Sequence, residues 1–238
     1  MKKSCCCPSV CALWNTSIGK KIIVAVTGIL LVGFLIGHAS GNLLLFLGQE
    51  ALNSYAEFLH HMIHGVGIWI ARVGILLAFV LHIVATVQLT IANRAARPLE
   101  YEKPATVQAS RSSRIMIWSG FTILAFVIYH LLHYTVKIQA NLANLPPDAE
   151  GRFDVYSMVI IGFSSWPATI FYLIAVSLLC SHLSHGIASI FQTLGLRTKR
   201  NAGLIQLVGR TLAFLIWAAF VVVPLSVISG LVHLPTAS

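Results

Sequence analysis

Six of the ten histidines stand where the sequence is otherwise apolar: His38, His82, His130, His133, His182 and His185. Neutral imidazole can pass protons, ligate a metal or pack through one hydrogen bond, and for an isolated histidine the last is the commonest role. In a lipid-like interior, each such group costs several kcal/mol unless it is paired or liganded. None of the seven acidic residues lies in the same runs, so carboxylate partners are missing from them. Each histidine therefore needs a packing hydrogen bond, a metal or a cofactor to account for it.

The elements that carry them are helices of membrane-spanning length. The chain has 238 residues, 57% hydrophobic and 10% charged, against roughly 25% charged in a soluble domain. That excludes a soluble catalytic domain and places any chemistry in or at a bilayer. Five runs, 22–47, 65–92, 115–136, 165–194 and 204–234, are each long enough to cross a hydrocarbon core of about 30 Å. They are continuously apolar rather than alternating, which favours helices over a barrel. Ser164, Ser165, Trp166 and Pro167 mark the fourth helix start, because serine caps and proline fits a first turn. Residues 154–164 are then expected to form an interfacial segment. The expected division is a segment 1–21, one five-helix domain 22–234 and a tail 235–238.

Charge sets the expected orientation. Thirteen of the sixteen basic residues fall in the N-terminal segment and in the loops following the second and fourth helices, leaving Arg72, Lys137 and Arg152 on the other side. This distribution accounts for the net charge of +9 without a nucleic-acid partner, and it predicts a cytoplasmic N-terminus and an outer C-terminus. Cys5, Cys6, Cys7 and Cys11 lack the partners and spacing of a zinc site and are expected to be unliganded thiols. The stretch from Met1 to Trp14 is a poor fit to a signal peptide and is expected to be retained.

Depth sorts the histidines. At 1.5 Å per residue, His38 (past Lys21) and His130 (past Arg114) both lie about 25 Å from the cytoplasmic boundary. His82 (before Arg94) and His182 (before Leu194) lie about 18 Å from it. Two imidazoles at one depth on different helices are the arrangement that holds a haem iron axially, and two levels predict two haems. The expected fold is therefore an all-α integral membrane protein, a five-helix transmembrane bundle with haem sites between helices. Gly28, Gly33, Gly37, Gly41, Gly74, Gly120 and Gly186 could give a macrocycle room or simply let helices pack closely. His133 and His185 lie one turn from His130 and His182, so by depth either member of each pair could be the ligand.

Several segments together resemble a known family. They are Thr27-Gly28 through Ile36-Gly37-His38, Asn53-Ser54-Tyr55-Ala56-Glu57-Phe58-Leu59, Asn93-Arg94-Ala95-Ala96-Arg97-Pro98, and His182-Leu183-Ser184-His185-Gly186 leading to Phe191-Gln192-Thr193-Leu194-Gly195. Their order and the helix count resemble the single-chain, dihaem cytochrome b anchor of succinate dehydrogenases and fumarate reductases. The resemblance implies His182, with Gly186 four residues on, as the fourth-helix ligand. It also implies pairing of the first helix with the third and of the second with the fourth; His130 is assigned over His133 by depth. Two b haems, a flavoprotein with FAD, an iron–sulfur partner and quinone chemistry, often with menaquinone, follow as expectations.

Glu57 is an approximate match to a quinone-site carboxylate of that family. If its segment is helical, Glu57, His61 and His64 share one face with His60 beside them, at a membrane edge suited to proton uptake. The alternative edge is near Ser17 and Lys20. Arg94, Arg97, Lys103, Arg111 and Arg114, with Arg197, Lys199 and Arg200, are expected either to dock the iron–sulfur subunit or to act as topology determinants alone. Other classes compatible with the sequence are a dihaem subunit of a different quinone-linked reductase or hydrogenase, and a haem-free histidine-lined transporter.

Overall fold

The computed structural model describes residues 14–96 and 116–234. Cys5, Cys6, Cys7, Cys11, Arg97, Lys103, Arg111, Arg114 and the tail 235–238 lie outside the described residues. Helix α1 (Ser17–Leu43) is followed by a 3₁₀ turn (Leu44–Leu47), then α2 (Gln49–His61) and α3 (Val66–Ala95). Next come α4 (Met116–His130), a π-helical segment (Leu131–Val136), the short α5 (Ala140–Ala143), α6 (Val155–Phe163), α7 (Trp166–Thr193) and α8 (Ala202–Ile228). No strand occurs among the described residues. Five of these units, Ser17–Leu47, Val66–Ala95, Met116–Val136, Trp166–Thr193 and Ala202–Ile228, are long and apolar enough to cross a membrane. The chain is an all-α membrane bundle.

The first span begins five residues before its apolar run, because the Thr16 hydroxyl accepts the Gly19 amide at 2.9 Å and caps the helix. Ser165 stands at the N-cap of α7 with proline in the first turn, where proline's missing N–H costs nothing. The fifth span stops at Ile228, short of the predicted 234. Gly230 turns left-handed at φ 76°, and the Val232 amide bonds back to the Ser226 carbonyl at 3.1 Å.

Helix α7 is central, packing against α1, α4 and α8, while α3 packs along α1. Tryptophans sit exposed at span ends, Trp69 on α3, Trp118 on α4 and Trp166 on α7, as expected for rings at a membrane–water boundary. The larger core lies at the end carrying α2 and α6, where Leu45, Leu52, Ile160, Phe163, Tyr172 and Val223 interlock. A smaller cluster of Leu183, Ile187, Ala213 and Ile216 joins α7 to α8 nearer the opposite end.

The segment expected at an interface differs from that expectation. Residues 156–160 and 162–163 of α6 are buried, so the helix plugs one end of the bundle instead of lying on its surface. Burial is possible because its polar entrance is fully bonded. Asp154 caps α6, accepting from the amide and hydroxyl of Ser157 at 3.0 and 2.6 Å and from Gln49 and Asn53 of α2 at 2.8 and 3.0 Å. Asn53, 1% exposed, also donates to Asp148 at 2.9 Å and accepts the Tyr156 amide at 3.0 Å. Arg152 adds ion pairs to Glu50 at 2.5 Å and to Asp148 at 2.9 Å.

These bonds hold the carboxylates ionised. Glu50 is lowered to about 2, chiefly by Arg152 and then by Ser54. Burial pushes Asp154 and Asp148 up, but hydrogen bonds outweigh it and hold both below the ordinary carboxylate range.

Candidate functional site: histidines paired across helices

The structure sets one of the two depth-matched pairs face to face. His38 on α1 and His130 at the end of α4 face each other, with ring centroids 5.8 Å apart and planes at 83°. Two neutral nitrogen donors from different helices thus stand side by side, a donor set that would suit a haem iron. Phe34 stacks on His38 at 5.3 Å, and Phe126 and Phe220 complete an apolar wall. His82 on α3 and His182 on α7 each meet a hydroxyl on a different helix, Thr27 of α1 and Ser119 of α4. Among the described residues no three His, Cys, Asp or Glu side chains gather as a metal cluster.

The hydroxyl contacts favour one tautomer of each imidazole. The Thr27 hydroxyl on α1 donates its one proton to the Ile23 and Val24 carbonyls at 2.7 and 3.2 Å. Its oxygen can then only accept, so the contact at 3.1 Å to Nδ1 of His82 requires Nδ1–H on the imidazole. The lone pair of His82 is left on Nε2. The same logic operates between α4 and α7. Ser119 donates to the Met116 carbonyl at 3.0 Å and therefore accepts Nδ1–H from His182 at 3.1 Å. Each histidine is held by a hydroxyl on a neighbouring helix, with Nε2 in the form that ligates a metal.

His185 is arranged differently. Ser189, one turn along the same helix, donates to the His185 carbonyl at 3.0 Å and lies 3.2 Å from Nε2. Its oxygen must therefore accept Nε2–H, which occupies the nitrogen that His182 leaves free. His130 and His133 converge on one atom instead, for Nδ1 of each lies 3.2 Å from the Tyr172 hydroxyl. His133 is 2% exposed and its Nε2 has no hydrogen-bond partner among the described residues.

The glycines divide between close packing and room beside a ligand. A Cβ on Gly41 would come within 2.8 Å of the Tyr55 ring, so that position permits close packing of α1 against α2. At Gly28 a Cβ would stand 3.3 Å from Ile190 and 3.7 Å from His82, and at Gly120 it would stand 3.9 Å from His182. These two lie beside the candidate ligands. At Gly33, Gly37, Gly74 and Gly186 it would meet nothing within 4 Å.

The second candidate site is less gathered. Glu57, His60, His61 and His64 are all exposed. Glu57 and His61 share a face of α2, and His60 donates Nδ1–H to the Ala56 carbonyl at 2.8 Å. His64 lies beyond the helix with φ 54°, so the face it was expected to share ends at His61. The buried face of α2 is instead the one with Gln49 and Asn53. At the opposite end Arg94, Lys199 and Arg200 are exposed, and Arg197 donates to Gln192 at 3.1 Å.

Thr27, Ser119 and Tyr172 escape a reading of the sequence centred on ionisable groups. Their signal is a hydroxyl inside an apolar run, which must find a partner in the bundle. Comparison of the chain with protein-family models, curated proteins and solved structures finds no match.

Proposed function

We propose that the chain is the membrane anchor and electron-transfer subunit of a succinate:quinone oxidoreductase. The supporting observation is the pair of cross-helix hydroxyl braces that leave Nε2 of His82 and His182 free, alongside the facing His38 and His130 rings. The donor set fits a b haem at each level, since neutral imidazoles among apolar walls suffice and no carboxylate is needed. When bound, such groups supply one-electron transfer. Were haem bound, His82 with His182 and His38 with His130 would hold it, and the protein's own part is to keep those histidines in place and their surroundings apolar. Dicarboxylate chemistry then belongs to a flavoprotein carrying FAD, joined through an iron–sulfur subunit at the cytoplasmic face of the inner membrane. Quinone, often menaquinone in the family resembled, is the membrane partner.

The test is a visible spectrum of the purified protein with an inventory of what co-purifies. A reduced α-band typical of b haem with a flavoprotein and an iron–sulfur protein supports the reading. The same band with other partners points to another quinone-linked enzyme, and no band points to a transporter.

A further inference from the structure

The Tyr172 hydroxyl has a single proton and two histidine nitrogens to satisfy, Nδ1 of His130 and Nδ1 of His133, both at 3.2 Å. Among the described residues the hydroxyl proton finds no other acceptor, so satisfying it makes one of these nitrogens an acceptor and leaves the other to donate, and the two imidazoles are then opposite tautomers. In one arrangement His130 donates Nδ1–H to the oxygen and the hydroxyl donates to Nδ1 of His133. His130 then has a lone pair on Nε2 and His133 a proton there. In the other arrangement these are exchanged.

The reversed arrangement disables the ring that faces His38. His130 is the histidine packed against His38 at 5.8 Å, while the rings around His133 are Tyr129, Tyr134 and Tyr172 at 5.4, 4.1 and 5.8 Å. The backbone supports the convergence, because α4 changes to a π-helical segment directly after His130, and such insertions re-aim side chains at functional sites. His133 is buried and its Nε2 has no hydrogen-bond partner among the described residues, a costly placement that space filling alone does not account for.

We propose that Tyr172 and His133 are positioning residues that fix His130 as the Nδ1–H tautomer and so make it, and not His133, the third-helix ligand. This rests on the reading of the chain as a dihaem electron conduit. The relay also makes His130 a stronger donor to the metal, since a ligand that gives its distal N–H to an acceptor becomes more basic.

The experiment is potentiometry of the holoprotein with electron paramagnetic resonance of its low-spin ferric signals, on wild type, Tyr172→Phe, His133→Leu and His133→Gln. Tyr172→Phe removes the acceptor from His130, so one haem is expected to rise in midpoint potential and shift its signal while the other keeps both. His133→Leu leaves the tyrosine proton no acceptor but His130 and is expected to perturb the same haem. His133→Gln restores an acceptor through its amide oxygen and is expected to return that haem toward wild type. Wild type with two haems whose potentials and signals are identical in Tyr172→Phe and His133→Leu overturns the inference, as does equal perturbation by leucine and glutamine. If Tyr172→Phe fails to assemble, the leucine and glutamine pair decides. Wild type with fewer than two haems overturns the underlying reading instead.

Discussion

Ser119 and His182, 63 positions apart in sequence, meet at 3.1 Å, and the serine's proton is already given to the Met116 carbonyl. The pair therefore has one hydrogen-bonding sense, and the histidine's remaining nitrogen is committed before any ligand arrives. Ser119→Ala should loosen this histidine without removing it. Loss of such an outer partner typically weakens a metal site about 10–100-fold. Haem retention during detergent washing should fall in Ser119→Ala, and in Thr27→Val for His82. Retention equal to wild type in both would show that the braces are incidental.

The two pairs predict two haems per chain by pyridine haemochrome analysis. His38→Ala or His130→Ala should remove or convert one, and His82→Ala or His182→Ala the other. Loss of a haem in His185→Ala with His182→Ala intact would contradict the tautomers set by Ser119 and Ser189.

Those pairs are legible in the sequence because helical rise is constant, so position along a span fixes depth. The spans themselves are legible because a continuous apolar run of membrane length is rarely anything but a spanning helix. Rotation about each helix axis is not legible, and it decides that Tyr172 reaches both His130 and His133. The ending of α2 is hidden for a related reason. A helical face can be continued on paper through His64, but Ile63 and His64 take φ of 53° and 54° and leave the helix. The burial of α6 is hidden because its polar entrance has the composition of a surface until Asn53 is brought to it.

Asn53→Ala should destabilise the bundle by about 3 kcal/mol, taking about 1.5 kcal/mol for each hydrogen bond to a carboxylate. Unfolding in detergent, followed by Tyr156 exposure or loss of helix, measures it. A change below about 0.5 kcal/mol would mean that water replaces the asparagine at no cost.

Acid should weaken the same knot. Glu50, Asp148 and Asp154 are all held below their ordinary values, so their contribution is present above the unfolded carboxylate range near pH 4 and is lost as pH falls through the folded values. The thermal midpoint should be level from neutrality to about pH 5 and fall from about pH 4 towards about 2, where Glu50 protonates. Asn53→Ala should flatten that fall; a midpoint independent of pH down to about 2 would assign the knot no role in stability.

Quinone turnover tests the exposed face of α2. If Glu57 and His61 supply protons there, Glu57→Gln and His61→Ala should lower quinone-dependent turnover with both haems retained. Unchanged turnover in both would leave the edge near Ser17 and Lys20 as the site.

The bond from Asn53 to Asp154 closes a loop of 101 residues. During synthesis at about 5–20 residues per second, the asparagine waits roughly 5–20 s for its partner to be made. For that interval α2 is an amphipathic strap without its clasp. An apolar strap would sink into lipid and stay there; one bearing Gln49, Glu50, Asn53 and Ser54 is held by water at the membrane edge. The contact between Asn53 and Asp154 is thus a late one, and α2 cannot be locked by it until the start of α6 has been made.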